Sequence, residues 1–216
     1  MKFSTLAFAT VLLVVAATAH NCIHDEPHLQ ELLKSDHSVA HQSYRGFKAQ
    51  AVGAIRIKFF YEDLDDTNQH CTAVGQTRPT FAGTTFTCTS EDVLTSTKRS
   101  NLINNIIPAA VTRLQNLLSV DRMTSNLMVP TSACSHFTIP ASHRTGQTGV
   151  SGADFVLYVS AGRTNTGTLA WAGRCSSDQN GRPIVGRANF GPQYIEWSAT
   201  DQSVNDGQIN TAIHEL

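Results

Sequence analysis

No run of like charge occurs anywhere in this chain. Its formal net charge of −1 supplies no long-range field to attract nucleic acid or an anionic membrane surface, and nucleic acid is excluded as a partner on that ground. Internal repeats and low-complexity tracts are absent as well, so a repeat architecture finds no support. Charged residues make up only 15% of the 216 residues and hydrophobic residues 41%, which suits one globular domain with a buried core plus a short leader or tail. Long apolar runs are missing too. The strongest, residues 6–15, falls short of the ~20 residues that a bilayer span needs.

That short run has another reading. "MKFSTLAFATVLLVVAATA" places Lys2 ahead of the apolar stretch and closes on Ala17-Thr18-Ala19, the small-x-small pattern that signal peptidase cuts after. Residues 1–19 are therefore expected to be a secretory signal peptide, with the protein entering the secretory pathway for an extracellular or cell-surface location. Residues 20–50 are histidine-rich and poor in large apolar side chains, and read as a solvated segment with one short helix around residues 29–33. His20, His24 and His28 read as solvated loop residues.

In an oxidising compartment the five cysteines, Cys22, Cys71, Cys88, Cys134 and Cys175, should leave one unpaired. Several pairings are open. The economical one joins Cys71 to Cys88 and Cys134 to Cys175, worth roughly 3 and 4 kcal/mol through loop closure. Cys22 would then be the odd thiol, close to the expected cleavage site.

Core-like texture begins at residue 51. "AIRIKFFY" (54–61) alternates Ile55, Ile57 and Phe59 with Arg56 and Lys58, the pattern of a half-buried strand. "FAGTTFTC" (81–88) is a weaker strand candidate and "FTIP" (137–140) a short one. Leu102, Ile103, Ile106, Ile107, Ala110, Val111, Leu114, Leu117 and Leu118 form one apolar stripe at helical spacing, with a kink expected at Pro108. "ADFVLYVSAG" (153–162) reads as a strand buried on both faces. "GTLAWAGRC" (167–175) and "RPIVGRANF" (182–190) supply two further extended pieces between Gly and Pro turns. Ile209, Ala212, Ile213 and Leu216 recur at i, i+3, i+4 and i+7, the start of a second helix. These elements add up to a mixed α/β layer structure.

The final helix carries His214 and Glu215. In the pattern H-E-x-x-H, two histidines four apart on one helical face both reach a zinc ion, and the glutamate takes a proton from zinc-bound water. Here the pattern runs only through its third residue, Leu216. A thiolate is also a strong zinc ligand, so Cys22 in a removable leader could occupy the position that water needs and hold a protease inactive.

Several blocks in order resemble the leishmanolysin family of zinc metalloproteases. "NCIHDE" (21–26) resembles the family's prosegment switch, and "AIRI…YEDLDD…HCTAVGQ" (54–76) its opening strand and first cysteine. "CTSEDVLTSTKR" with "NNIIPAAV" (88–111) is similar to its second cysteine and long backing helix. "ADFVLYVSA", "TLAWAGRC", "RPIVGRANF" and "IHEL" follow in the family's order.

The resemblance implies an α+β fold, the metzincin-like upper catalytic subdomain: a twisted mixed sheet, a long backing helix and the start of an active-site helix. It implies the pairs Cys71–Cys88 and Cys134–Cys175, His214 as a Zn2+ ligand, Glu215 as general base, and Cys22 as the inhibitory switch. The implied division is 1–19 signal peptide, 20–50 prosegment and 51–216 the N-terminal part of a catalytic domain. Substrates would be proteins or peptides lying along an edge strand near residues 168–173, with Trp171 a core or cleft-wall residue. The prosegment looks shorter than the family's.

The chain is therefore expected to be incomplete, interrupted inside its active-site helix, and inactive by itself because one histidine cannot make a three-ligand site. Membrane attachment would come only through segments past Leu216. An alternative is a secreted, non-catalytic adhesion or binding protein on the same fold; a histidine at position 218 of the longer reading frame favours the enzyme.

Overall fold

The structure, a computed structural model, describes residues 52–216. The expected signal peptide (1–19), the expected prosegment (20–50) with Cys22 and the short helix expected at 29–33 lie outside the described residues.

The first expected strand divides in two. β1 (Val52–Ala54) pairs antiparallel with β5 (Ser119–Asp121), which follows the long helix, while β2 (Ile57–Phe60) joins the main sheet. Between them the chain changes partner within two residues. The Ile55 amide donates to the Leu118 carbonyl and the Arg56 amide to the Asp154 carboxylate. Helix α1 (Glu62–Asp65) follows, then a hairpin of β3 (Thr77–Pro79) and β4 (Thr85–Thr87), the latter inside the weaker strand candidate.

The apolar stripe lies on a helix that begins earlier than its spacing suggests. α2 (Ser96–Asn101) is capped by the Thr95 side chain, which accepts from the Lys98 amide, and none of its residues is buried. It continues through a π-helical turn (Leu102–Ile106) into α3 (Ile107–Leu117). At Pro108, the position of the expected kink, the helix changes its hydrogen-bonding pattern. A regular helix would set the proline ring against the Asn104 carbonyl; instead the turn before it widens, and the Ile107 amide donates to the Leu102 carbonyl five residues back. Leu102, Ile106, Ile107, Ala110 and Val111 are buried, but Leu117 and Leu118 at the end of the stripe are exposed.

The main sheet has the order β2-β6-β8-β7, with β6 (Phe155–Ser160), β7 (Ala170–Ser177) and β8 (Pro183–Phe190). β2, β6 and β8 run parallel, and β7 lies antiparallel against β8. β6 is buried along its whole length, as its continuous apolar run requires. On one face, Phe155, Leu157 and Val159 pack under Leu102, Ile106 and Ala110 and under α4 (Gln202–Glu215) through Ile209 and Ala212. On the other, Val156 and Tyr158 pack with Val185 and an irregular segment carrying Leu127, Val129 and Phe137.

The fold is thus α+β with a mixed sheet and helices on one face, as expected. "FTIP" is not a strand. Phe137 turns into the second core, and the Thr138 amide donates to the buried Asp63 carboxylate at 3.0 Å, so the backbone there is committed to a side chain rather than to a ladder. Both expected disulfides, Cys71–Cys88 and Cys134–Cys175, are formed.

Candidate active-site cleft

α4 begins well before its apolar residues. The Asp201 carboxylate caps its first turn, accepting from the Ser203 amide at 2.9 Å. One turn on, Asn205 is 5% exposed, and its side-chain amide brackets Ser198, accepting from its N–H and donating to its carbonyl, both at 2.8 Å. Gln208 donates to the Tyr194 carbonyl at 2.8 Å. The opposite flank is held by Arg113 of α3, which reaches Asp206 at 2.9 Å and Asn210 at 3.3 Å. Ile209 and Ala212 enter the core, while Ile213 and Leu216 pack on its edge. Small residues on the sheet, Ala170, Ala172 and Ala188, leave room for the helix to lie close.

These constraints aim the last turn of α4 into a cleft of about 390 Å³. His214, exposed, and Glu215, half-buried, stand at one end of it. Ala172, Gly173 and Arg174 of β7 form its side. The floor is apolar, built from Phe155 and Leu157, and it depends on Gly186: a Cβ there would come 2.7 Å from Cζ of Phe155. The expected edge strand and the His-Glu pair, distant in sequence, are brought to one cavity.

β7 is held from behind. Cys175 is bonded to Cys134, and Trp171 (5% exposed) packs edge-on to Phe81 and Phe137, with ring centroids 4.9 and 6.0 Å away. Trp171 is thus a core residue on the face away from the cleft.

Asp63, His143 and Tyr158 lie outside the cleft. Burial pushes the Asp63 carboxyl up, against the opposing pull of its Thr138 contacts. Burial holds His143 below its ordinary value, with Nδ1 2.9 Å from the Tyr158 hydroxyl. Tyr158 belongs to the core on the far side of the sheet, so this pair does not enter the cleft.

An imidazole is a donor that zinc takes readily. Among the described residues, however, no three His, Cys, Asp or Glu side chains come together. His214 suits one ligand position, and the described residues do not complete a site.

Sequence reasoning missed Arg174 and Gly186 in the cleft and Asn205 near the start of α4. Strand alternation could have flagged Arg174, which shares a face with Ala170 and Ala172. Nothing distinguishes Asn205 from other polar residues of a helix.

The family profile described as leishmanolysin matches residues 15–216. The chain belongs to the leishmanolysin family of metallopeptidases. It is 37% identical over 167 residues to leishmanolysin of Leishmania major, covering 76% of this chain and 27% of that protein. Against leishmanolysin of Leishmania donovani it is 34% identical over 218 residues, covering 93% of this chain and 36% of the relative. A leishmanolysin homolog of Crithidia fasciculata is 38% identical over 140 residues, covering 64% of this chain and 21% of that protein. The chain thus spans about a quarter to a third of the length of the leishmanolysins it matches.

Proposed function

We propose that the full-length protein is a secreted or cell-surface zinc endopeptidase, and that His214 and Glu215 belong to its active centre. The observation that carries this reading is that both residues line the same cleft as the outer strand β7. An extended peptide added along β7 would lie with its backbone across the end of α4.

His214 would contribute one imidazole nitrogen to the metal, the remaining donors coming from parts of the protein outside the described residues. Zinc, once bound, supplies a Lewis acid for the scissile carbonyl. Glu215 acts on protons: its carboxylate takes one from the attacking water and passes it to the leaving amine. Its half-buried position in an apolar-floored cleft favours that exchange over loss of the proton to bulk water. Cys22, in a prosegment released on maturation, would hold the zymogen latent by offering its thiolate in place of water, and residues 1–19 would direct secretion.

The test is casein hydrolysis by the protein expressed from the longer reading frame. Chelator-sensitive cleavage is expected, with Glu215→Gln lowering kcat by about 100-fold or more. A Glu215→Gln variant that cleaves at the native rate would overturn the assignment. The 216 residues alone should show no turnover with zinc supplied.

A further inference from the structure

We infer that the cleft selects extended peptides carrying an acidic side chain beside the scissile bond, and that Arg174 recognises it. This deepens the peptidase reading and rests on it.

Among the described residues β7 pairs with β8 alone, leaving its other edge open to an added strand. The register sets Ala170 opposite Phe190, Ala172 opposite Ala188 and Arg174 opposite Gly186. Ala170, Ala172, Ala188 and Phe190 all pack toward the helices, so strand alternation directs Arg174 to the same face, over the cleft. Arg174 is exposed and lines the cleft together with Glu215. Its neighbours Ala172 and Gly186 are small, which leaves the guanidinium room to meet a ligand.

Charge complementarity singles out the occupant. Among the described residues, Arg174 makes no ion pair and no side-chain hydrogen bond. The other cleft arginine, Arg187, is 5% exposed; its side chain donates to the Ser135 carbonyl at 2.8 Å and stacks near Phe137 and Trp171 behind the sheet. Arg174 is therefore the cation presented to a peptide in a cleft lined also by Phe155, Leu157, His214 and Glu215. A carboxylate side chain on the added strand can pair with it in two-pronged fashion, a neutral amide gains less, and a lysine is repelled.

The experiment compares peptides that differ only by Glu or Gln at each position flanking the scissile bond. In the full-length protein, kcat/KM should favour Glu by about five-fold at one position, as expected for a partly exposed ion pair. Arg174→Gln should bring the ratio to about one, and Arg174→Glu should shift the preference to Lys. Equal Glu-to-Gln ratios in wild type and Arg174→Gln would overturn the inference while leaving the peptidase reading intact. The same peptides, made uncleavable by a reduced amide bond, are titrated into the 216-residue chain by NMR. Glu-selective binding lost in Arg174→Gln supports the inference even if no cleavage is found, an outcome that would count against the peptidase reading only. Unselective or absent binding by the wild-type chain, with no Glu preference in cleavage, overturns it. Arg174 is exposed, so matching melting temperatures should show that the variants remain folded.

Discussion

Arg56 and Asp154 meet in a two-pronged pair, Nε to Oδ2 at 2.9 Å and Nη2 to Oδ1 at 2.8 Å, and the carboxylate is wholly buried. The amides of Arg56 and Met123 donate to the same carboxylate at 2.9 and 2.7 Å, so one side chain joins β2, β6 and the segment after β5. Burial by itself would raise the Asp154 pKa, but the hydrogen bonds from Arg56 and Met123 outweigh it and hold the carboxyl below its ordinary value. Arg56→Ala leaves a buried carboxylate without its cation and should cost about 3 kcal/mol in urea unfolding at pH 7. A carboxyl whose folded pKa is depressed stabilises above its unfolded value and loses that contribution as pH falls through the folded one. The difference between the two proteins should therefore be largest at neutral pH and shrink as pH falls from the folded Asp154 pKa of the variant, which has lost the Arg56 side-chain hydrogen bonds, toward the lower one of the wild type.

Asp63 carries the opposite sign. Burial raises its pKa, so its contribution is greatest below about pH 4, the unfolded value, and is lost as pH rises through the folded value. Asp63→Asn keeps an acceptor for the Thr138 amide and removes the buried charge. Thermal melts should show a higher Tm for the variant at pH 7 and little change at pH 4. Equal shifts at both pH values would remove ionisation as the cause.

Asn205→Ala deletes both hydrogen bonds to Ser198 and leaves that backbone without its buried partner. We expect a loss of about 2 kcal/mol, felt most in α4. Hydrogen exchange is the measurement: α4 amides should lose protection while β6 amides keep more of theirs.

Gly207 lies in the middle of α4 with open space where a Cβ would project. Gly207→Ala should therefore stabilise by about 0.5–1 kcal/mol, through helix propensity and a less free unfolded chain. A raised Tm with unchanged far-ultraviolet circular dichroism would bear this out.

Legibility followed the strength of the local hydrophobic signal. β6 and the stripe from Leu102 to Val111 were plain because their apolar residues are continuous or periodic. The first turns of both long helices were not: "STKRSN" and "QSVNDGQ" are polar, and only the caps Thr95 and Asp201 mark them. β3 escaped because Thr77-Arg78-Pro79 has neither alternation nor apolar bulk. "FTIP" misled because Phe137 is apolar for the sake of the core around Trp171, not for a strand. At the site, His214 and Glu215 could be singled out as a dipeptide. Their meeting with Arg174 could not, since it depends on β7 crossing to the outside of the sheet and returning antiparallel, a long-range arrangement that no local pattern encodes.

Gly186 bears on how such a groove could change. The ring of Phe155 rests where a methyl group on residue 186 would stand, so even alanine there would lift the phenyl toward the solvent and make the trough shallower. The depth offered to a guest is thus governed from the middle of the sheet, by a position whose contribution is the side chain it lacks.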